Sequence, residues 1–593
     1  MVDQNALDVA KRRVEGATKW RKGAKYDESW ARMIKLYGNR YDYSELGSYQ
    51  DIVAPNMVFS TVNVIVPSIA VNYPKITVTA RNPQDEMRAS IVEAVTNYNW
   101  RHFDVHDEFR LAVKDFVVLG HAWIKTSWSF IQAERDWTPE SFQGEAERLL
   151  MQRAQSVSQA AQAGIRESEF PTEAEVLDGI PSKETYIKED RPMVERVSPF
   201  DVFVDPDATR LKNARWVAQR MYIPIETARS RKEWSPKGRK NLKPTAMSEA
   251  KVDVDIMYDG EERGREAEFA VVWEYYDLVN GTVCTFAEGC DEWLLPPGTV
   301  PYSFAHPFVM LRNYDVPDKL YPIGDVETIA PLQLELALTR TQMVNDRKRY
   351  RRMYMYRPDE LGSDGVDALL SGDDNAMVEV TSDRPFGDVL APIGTTPLPA
   401  EFYNQTAMIL DDVNLVSGVS EYQRGSMSEI RRTATEANMI QDGANARSAD
   451  KLAIIERSIG GVAQNIVALA QQFLTTEQVA KVVGEDGAMG WIPYTKDDIA
   501  GEYDFEVEAG STQPQNESFR RQSAMQLMDA MSPFISIGVV NPAKIAEHVL
   551  RMGFGVKNPQ DFMMPQMPMG PETGSEGSPA DGGVPSEAVP AAV

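Results

Sequence analysis

The pattern that most constrains this chain lies between residues 322 and 416. Pro322-Ile323-Gly324-Asp325 opens a long helical segment in which Ile329, Leu332, Leu336, Met343 and Val344 keep the three-four spacing of an amphipathic helix. Asp325 fits the N-cap position, and Pro331 either kinks this helix or marks its true first turn. The helix ends in NDRKRYRRM, and residues 340–352 hold six basic side chains against one acid, a net of +5. The next block, 357–397, is reversed: nine acids stand against two bases, a net of −7, among glycines, prolines and strand-like pieces such as AMVEVTS. A second helix follows Pro399, over roughly 400–416. A chain with this pattern has two helices separated by an acidic block that holds short strand-like pieces.

The flanking segments mix both periodicities. Downstream, a glycine-bearing loop covers 417–432, and a helix runs from Thr433 to Leu474, with Ala434, Ala437, Ile440, Leu452, Ile455 and Ile459 on its apolar side. Gly460-Gly461 is the expected kink in it. Residues 503–509 alternate as a strand, and short helices follow at about 516–531 and 542–552. Upstream, residues 3–37 read as helix, with Trp20 and Trp30 as anchors. From residue 56 a buried helix runs to an end near Pro67 or Pro74, and 75–81 read as a strand with Ile76, Val78 and Ala80 on one face. Two helices fill 85–119, and Gly120 is placed to end the second in the left-handed region before a strand, AWIKTSW. Residues 138–180, rich in Glu, Gln and Ala, form a solvated helical insertion; 194–208 read strand, turn, strand, turn; 235–268 form a charged mobile loop; and 270–289 form a hairpin around Asn280-Gly281.

Composition sets limits on function. With 593 residues and 43% apolar side chains, the chain builds several cores. Its last thirty-one residues, 563–593, hold six Pro, five Gly, four acids and no bases, so they cannot offset the entropy of ordering and are expected to be disordered. The net charge of −26 repels phosphate, which argues against a surface that grips DNA but allows a conduit along which DNA slides. Two cysteines, Cys284 and Cys290, build no disulfide scaffold and match no zinc spacing. The N-terminus has no apolar signal region, and the most apolar stretch, 52–71, is interrupted by Pro and Asn, so no membrane span is expected.

Catalytic signatures are absent. There is no G-x-x-x-x-G-K-[ST] phosphate cradle and no G-x-G-x-x-G after a strand. His102 and His106 stand four apart on an expected helix, a metal-compatible spacing without a third ligand. Asp201, Asp205 and Asp207 offer oxygen ligands, but Pro206 favours a turn. The expectation is therefore no enzyme activity, no cofactor and no metal. Phosphate contact falls instead to the basic helix end, Arg347, Lys348, Arg349, Arg351 and Arg352, which would touch backbone without reading bases. The same residues also complement a helix dipole and pair with the acidic block beside them. The loop 417–432 offers Tyr422, Gln423, Arg424, Arg431 and Arg432 between two helices, with Gly418 and Gly425 suited to movement.

Taken in order, four segments resemble the tailed-bacteriophage portal (head-to-tail connector) family. LGHAWIKTSW is similar to its helix followed by a short strand. SPFDVFVDPDA is similar to its wing segment before an Asp-Pro turn. HPFVMLRNYDVPDKLYPIGDVETIAPLQLELALTRTQMVNDR resembles the entry to its stem helix, and GVSEYQRGSMSEIRRTATEANMIQDGANAR resembles the start of the long helix above the channel. The matches are dispersed over 100–450; the first forty residues, the 138–180 insertion and the tail carry none.

The resemblance implies an α+β portal-type fold: an N-terminal helical segment (1–40), wing (41–323), first stem helix (324–353), small β-containing clip (354–397), second stem helix (398–416), channel loop (417–432), then a long kinked helix, wing return and crown (433–562). It implies a ring of twelve copies passing double-stranded DNA without sequence readout. Terminase and then head–tail adaptors would dock on clip acids Asp359, Glu360, Asp364, Asp373, Asp374 and Glu379, with major capsid and scaffold proteins as further partners. Such a ring belongs at the capsid vertex of a virion assembled in the bacterial host cytoplasm. The rival readings are another virion structural or adaptor protein, usually much shorter, and a metal-dependent DNA-processing enzyme, which needs a two-metal carboxylate cluster.

Overall fold

The computed structural model describes residues 2–41, 53–70, 72–162, 170–244, 268–349, 354–371, 382–392, 400–419, 424, 434–475, 478–483, 489–508, 517–536 and 542–554, with single positions at 378, 380, 511 and 556. It divides into two units: residues 1–482 with 491–514, and residues 483–490 with 515–593.

Helix α1 (Val2–Gly23) buries Leu7, Ala10, Val14 and Ala17, one stripe at helical spacing. The single helix expected over 3–37 is in fact two. Lys25 takes a left-handed φ of 59°, and α2 (Tyr26–Tyr37) begins after it. The cause of the break is Arg21. Its buried guanidinium pairs with Asp27 across the bend, donates to the carbonyls of Val202 and Phe200, and lies 4.9 Å over Trp30 and 4.2 Å over Phe203. An enclosed arginine needs that many partners, and only a bent chain brings Asp27 back to it.

Next come α3 (Met57–Ala70), β1 (Ile76–Ala80), α4 (Glu86–His102), α5 (Val105–Leu119) and β2 (His121–Arg135). Gly120 sits at φ 86° between α5 and β2, as its place in the sequence predicts. The insertion contains α6 (Pro139–Gln162) and α7 (Glu173–Asp178), the latter started by a Thr172–Glu175 capping box; both are largely exposed. The chain returns through β3 (Glu184–Val197), β4 (Val202–Val204) and β5 (Trp216–Pro224) to α8 (Ile225–Ser230) and α9 (Pro236–Lys240). Helix α9 occupies the start of the segment expected to be a mobile loop; residues 245–267 of it lie outside the described residues. Strands β6 (Phe269–Asp277), β7 (Thr282–Ala287), β8 (Trp293–Thr299) and β9 (Phe308–Arg312) follow. Gly281, at φ 63°, makes the β6–β7 turn.

Two antiparallel sheets result, ordered β4-β5-β6-β7-β8 and β3-β2-β9. Residue alternation gives the five-stranded sheet two apolar faces. Phe203, Trp216, Ala218, Trp273, Tyr275, Cys284 and Phe286 pack under α1. Val202, Val204, Val217 and Tyr276 turn into the main core, which also takes the apolar faces of α2 to α5 and of β2. Lys125 of β2 bridges the two sheets, donating to Gln219 at 2.9 Å and to Glu274 at 2.5 Å, while the Tyr276 hydroxyl donates to Glu274 at 3.0 Å. Burial holds that phenol well above its ordinary pKa, so it stays a donor.

The rest of the chain forms α10 (Asp325–Arg349), β10 (Tyr354–Tyr356), α11 (Ser363–Ser371), α12 (Phe386–Val389), β11 (Leu390–Pro392), α13 (Ala400–Ser417), α14 (Ala434–Phe473), β12 (Gln478–Val483), β13 (Met489–Tyr494) and β14 (Tyr503–Val507). Strand β14 pairs antiparallel with β1, Ile76 opposite Val507, across more than 400 residues of chain. Helix α14 runs through Gly460-Gly461, the expected kink. Packing gives Gly460 a further role, since a Cβ there would lie 3.0 Å from the Phe505 carbonyl oxygen, so any side chain would push the helix or β14 aside by a few tenths of an ångström. Segment Ser448–Phe473 is long and apolar enough to cross a bilayer, but Ile455, Ile459, Val462, Ile466 and Ala470 belong to the main core. AMVEVTS and the tail 563–593 fall mostly or wholly outside the described residues. The architecture is α+β.

The second unit holds α15 (Glu517–Ser536), longer than its expected span, and α16 (Pro542–His548), which continues into a π-helical turn over Val549–Gly553. Within it the Arg521 guanidinium lies 5.8 Å from the Phe554 ring.

Candidate functional site

The two helices read first in the sequence, α10 and α13, lie side by side. Leu336 and Ala337 of one and Ile409 and Val413 of the other are buried; Gln405 donates to Glu335 at 3.3 Å, and Thr406 reaches the Met343 sulfur at 3.8 Å. Between them the chain makes a small module. Strands β10 and β11 pair antiparallel, Tyr354 opposite Pro392, and among the described residues Leu361 and Val389 are its buried apolar side chains.

The base of α10 is fixed from three sides. Gly324 meets Gly120 back to back: a Cβ on Gly324 would stand 2.7 Å from the Gly120 nitrogen and 2.8 Å from the Val118 oxygen. Asp325 is not the N-cap the sequence predicts. It is the first helical residue, and its buried carboxylate accepts from Asn313 Nδ2 at 2.8 Å, from the Tyr314 hydroxyl at 3.0 Å and from Lys451 Nζ of α14. Lys451 also lies 5.0 Å over the Tyr314 ring. Further along the helix, Gln333, fully buried, donates to the Tyr41 hydroxyl at 2.7 Å and to the Pro55 carbonyl at 3.1 Å, and accepts from the Met57 N–H at 2.9 Å. Pro331 lies inside the helix.

At its other end, α13 stops where Gly418 takes φ 70°, its N–H bonded to the Asn414 carbonyl. Val419 then enters the main core. Arg424 is partly buried; its Nη2 donates to Thr61 Oγ1 of α3 at 2.9 Å, and Nη1 lies 3.7 Å from the Met57 sulfur. Tyr422, Gln423, Arg431 and Arg432 lie outside the described residues, so Arg424 is the described member of that predicted group.

Arg347, Lys348 and Arg349 fall in the last turn of α10, and Arg351 and Arg352 lie outside the described residues. In the module, Asp359 and Asp364 are exposed. Glu360 accepts from Ser382 at 3.0 Å and pairs with Arg384 at 3.6 Å, so its charge is engaged within the module. Asp373, Asp374 and Glu379 lie outside the described residues.

The two metal hypotheses meet different geometry. His102 ends α4, stacked on Tyr98, whereas His106 is buried in α5 against Tyr73, so they do not share one helix as the spacing predicts. Asp205 and Asp207 are clamped by Arg215 at 2.5–2.8 Å, and Asp201 pairs with Arg220 at 3.1 Å. The hydrogen bonds from Arg215 hold the Asp205 carboxyl below its usual range despite its burial. Guanidinium groups take the coordination positions an ion would need. Among the described residues no three His, Cys, Asp or Glu side chains converge as a metal group.

Sequence reasoning missed Lys451 and Gln333. A lone lysine or glutamine in an apolar helix stripe is the signal that could have marked them, because a buried polar group implies a partner elsewhere in the chain.

The sequence profile of the family described as "Phage SU10 portal protein" matches residues 7–580, nearly the whole chain. No curated protein matches the chain.

Proposed function

The chain belongs to the tailed-phage portal family, and from that premise we propose that it forms the ring-shaped channel through which double-stranded DNA is packaged and ejected. The family places it in the virion, at the capsid vertex, as a structural head–tail connector that works as a ring oligomer with capsid, terminase and DNA. The observation that carries the finer reading is the pair α10 and α13: two helices anchored at one end to the core and bearing the small β10–β11 module at the other. In this reading they are the stem, residues 354–397 the clip, 417–432 the channel loop, 41–323 the wing, and 433–562 the long helix, wing return and crown.

The ring has twelve subunits and assembles in the host cytoplasm. Met408 and Leu415 of α13 are 66% and 72% exposed, apolar area that a neighbouring stem would cover. The clip docks terminase during packaging and head–tail adaptors afterwards, with exposed acids such as Asp359 and Asp364 giving charge complementarity. Arg347, Lys348, Arg349, Arg351 and Arg352 at the stem end, with Tyr422, Gln423, Arg431 and Arg432 of the loop, meet the duplex through its backbone. The strongly acidic remainder lets it slide.

Native mass spectrometry with negative-stain class averages tests the assembly. Rings of twelve with a central hole are the expected result; a monomer or dimer at high concentration speaks against it. Replacing Arg431 and Arg432 with Ala should leave the ring intact and change packaged DNA length or retention. Unchanged length and retention would remove the loop from the DNA path.

A further inference from the structure

We propose that Arg424 is a positioning residue: it tethers the channel loop to α3 and does not serve as a contact to DNA phosphate. The proposal rests on reading 417–432 as the channel loop. An arginine that meets a passing duplex presents its donors to the lumen, because the backbone charge it neutralises is there. Arg424 instead turns inward. One end of its fork donates to Thr61 Oγ1 at 2.9 Å, and the other faces the Met57 sulfur at 3.7 Å. Thr61 is fully buried, so this hydroxyl is not open to water or DNA, and losing the guanidinium would leave it short of a partner.

The seat is shared. Met57, whose sulfur faces Arg424, gives its backbone N–H to Gln333 of α10 at 2.9 Å. The first turns of α3 therefore receive the stem helix through Gln333 and the loop through Arg424, four residues apart on one helix. A second fixed point stands at the loop's start, where Gly418 turns the chain out of α13 and Val419 enters the core. With Arg424 docked, the five residue steps from Val419 to Arg424 span at most about 18 Å, which limits how far this part of the loop reaches into the lumen. The tether fixes one point of the loop on the helix that also receives the stem.

Hydrogen exchange read by mass spectrometry on peptides covering 418–433 tests this, in the full chain in whatever assembly it adopts. Thr61→Val removes the acceptor and keeps the arginine; Arg424→Ala removes the donor; Thr61→Ser restores the hydroxyl. Both T61V and R424A should speed exchange about five- to tenfold, the population change expected from losing one charge-assisted hydrogen bond. T61S should match the wild type, and the double variant should be no faster than the faster single one. Wild-type exchange in T61V, or additive effects in the double variant, overturns the tether. Should T61V not fold, R424A at its partly exposed position carries the test alone, and unchanged exchange there is equally fatal. A wild-type chain that forms no rings counts against the channel reading and leaves the exchange comparison intact.

Discussion

Lys451 of the long helix α14 and Asp325 at the first turn of α10 form an ion pair with side chains only 6% and 2% exposed. The two residues are 126 positions apart, and everything assigned to stem, clip and channel loop lies between them. Their contact joins the start of that excursion to the helix that ends it.

Removing one partner should therefore cost more than removing both. Lys451→Met leaves a carboxylate buried with only Asn313 and Tyr314 as donors, and a loss of about 3–5 kcal/mol in unfolding free energy is expected. Lys451→Met combined with Asp325→Asn should recover at least half of it. Urea unfolding of the two variants checks the difference, and equal losses would show that the pair contributes no coupling.

The Gly120–Gly324 contact allows no side chain on either residue. Gly324→Ala places a methyl group 2.7 Å from backbone nitrogen, and Gly120→Ala adds a left-handed φ of 86° to a similar clash. Each should destabilise by a few kcal/mol, by backbone displacement with no loss of apolar area. Gly281→Ala, at φ 63° in an open hairpin turn, isolates the backbone strain without the clash and should cost about 1 kcal/mol. Thermal melts of the three give the ranking.

His121 makes stability depend on pH. Burial among Trp30, Trp123 and Tyr321, and then the charge of Arg21, push its pKa down to about 3 from an ordinary 6.5. The folded protein keeps this ring neutral while the unfolded chain takes up a proton below pH 6.5, so stability falls as pH drops through that value toward 3. Between pH 7.5 and pH 5 the loss should be about 2 kcal/mol. His121→Phe should remove most of that loss; an unchanged slope in urea titrations at the two pH values would assign the dependence to other groups.

Arg215 holds the Asp-Pro turn. Arg215→Ala strips the buried Asp205 carboxylate of its bidentate partner and should lower the unfolding midpoint in urea. Arg215→Lys should recover only part, because an ammonium cannot match both oxygens. Since Asp205 is held below its usual range, its contribution is present above about pH 4 and disappears as pH falls through its lowered value. Acid unfolding of wild type and R215A should converge at low pH.

What was legible in the sequence follows from how local each signal is. The amphipathic stripe of α10, the glycine ending α5 and the Asn280-Gly281 turn are set by residues a few positions apart, and each appears where it was read. The break at Lys25 was not legible, because it depends on Arg21 finding carbonyls at residues 200 and 202. Asp325 looked like a cap because its true partner, Lys451, lies on another helix. The tight approach of Gly460 to the Phe505 carbonyl was not legible, because the two are 45 positions apart. Of the candidate residues, Arg424 donates to Thr61 Oγ1, a partner 363 positions away that no local pattern could show.

The pairing of β1 with β14 has a further consequence. It closes the sheet-and-helix frame with strands from opposite ends of the first unit, so the frame's integrity does not depend on the residues at the tip of the α10–α13 excursion. The module between β10 and β11 is thereby a cassette: its surface can be rewritten while the fold that carries it stays the same. On the docking role proposed for it above, a lineage that changes motor or tail would alter some forty residues at the end of two helices and leave the frame in place.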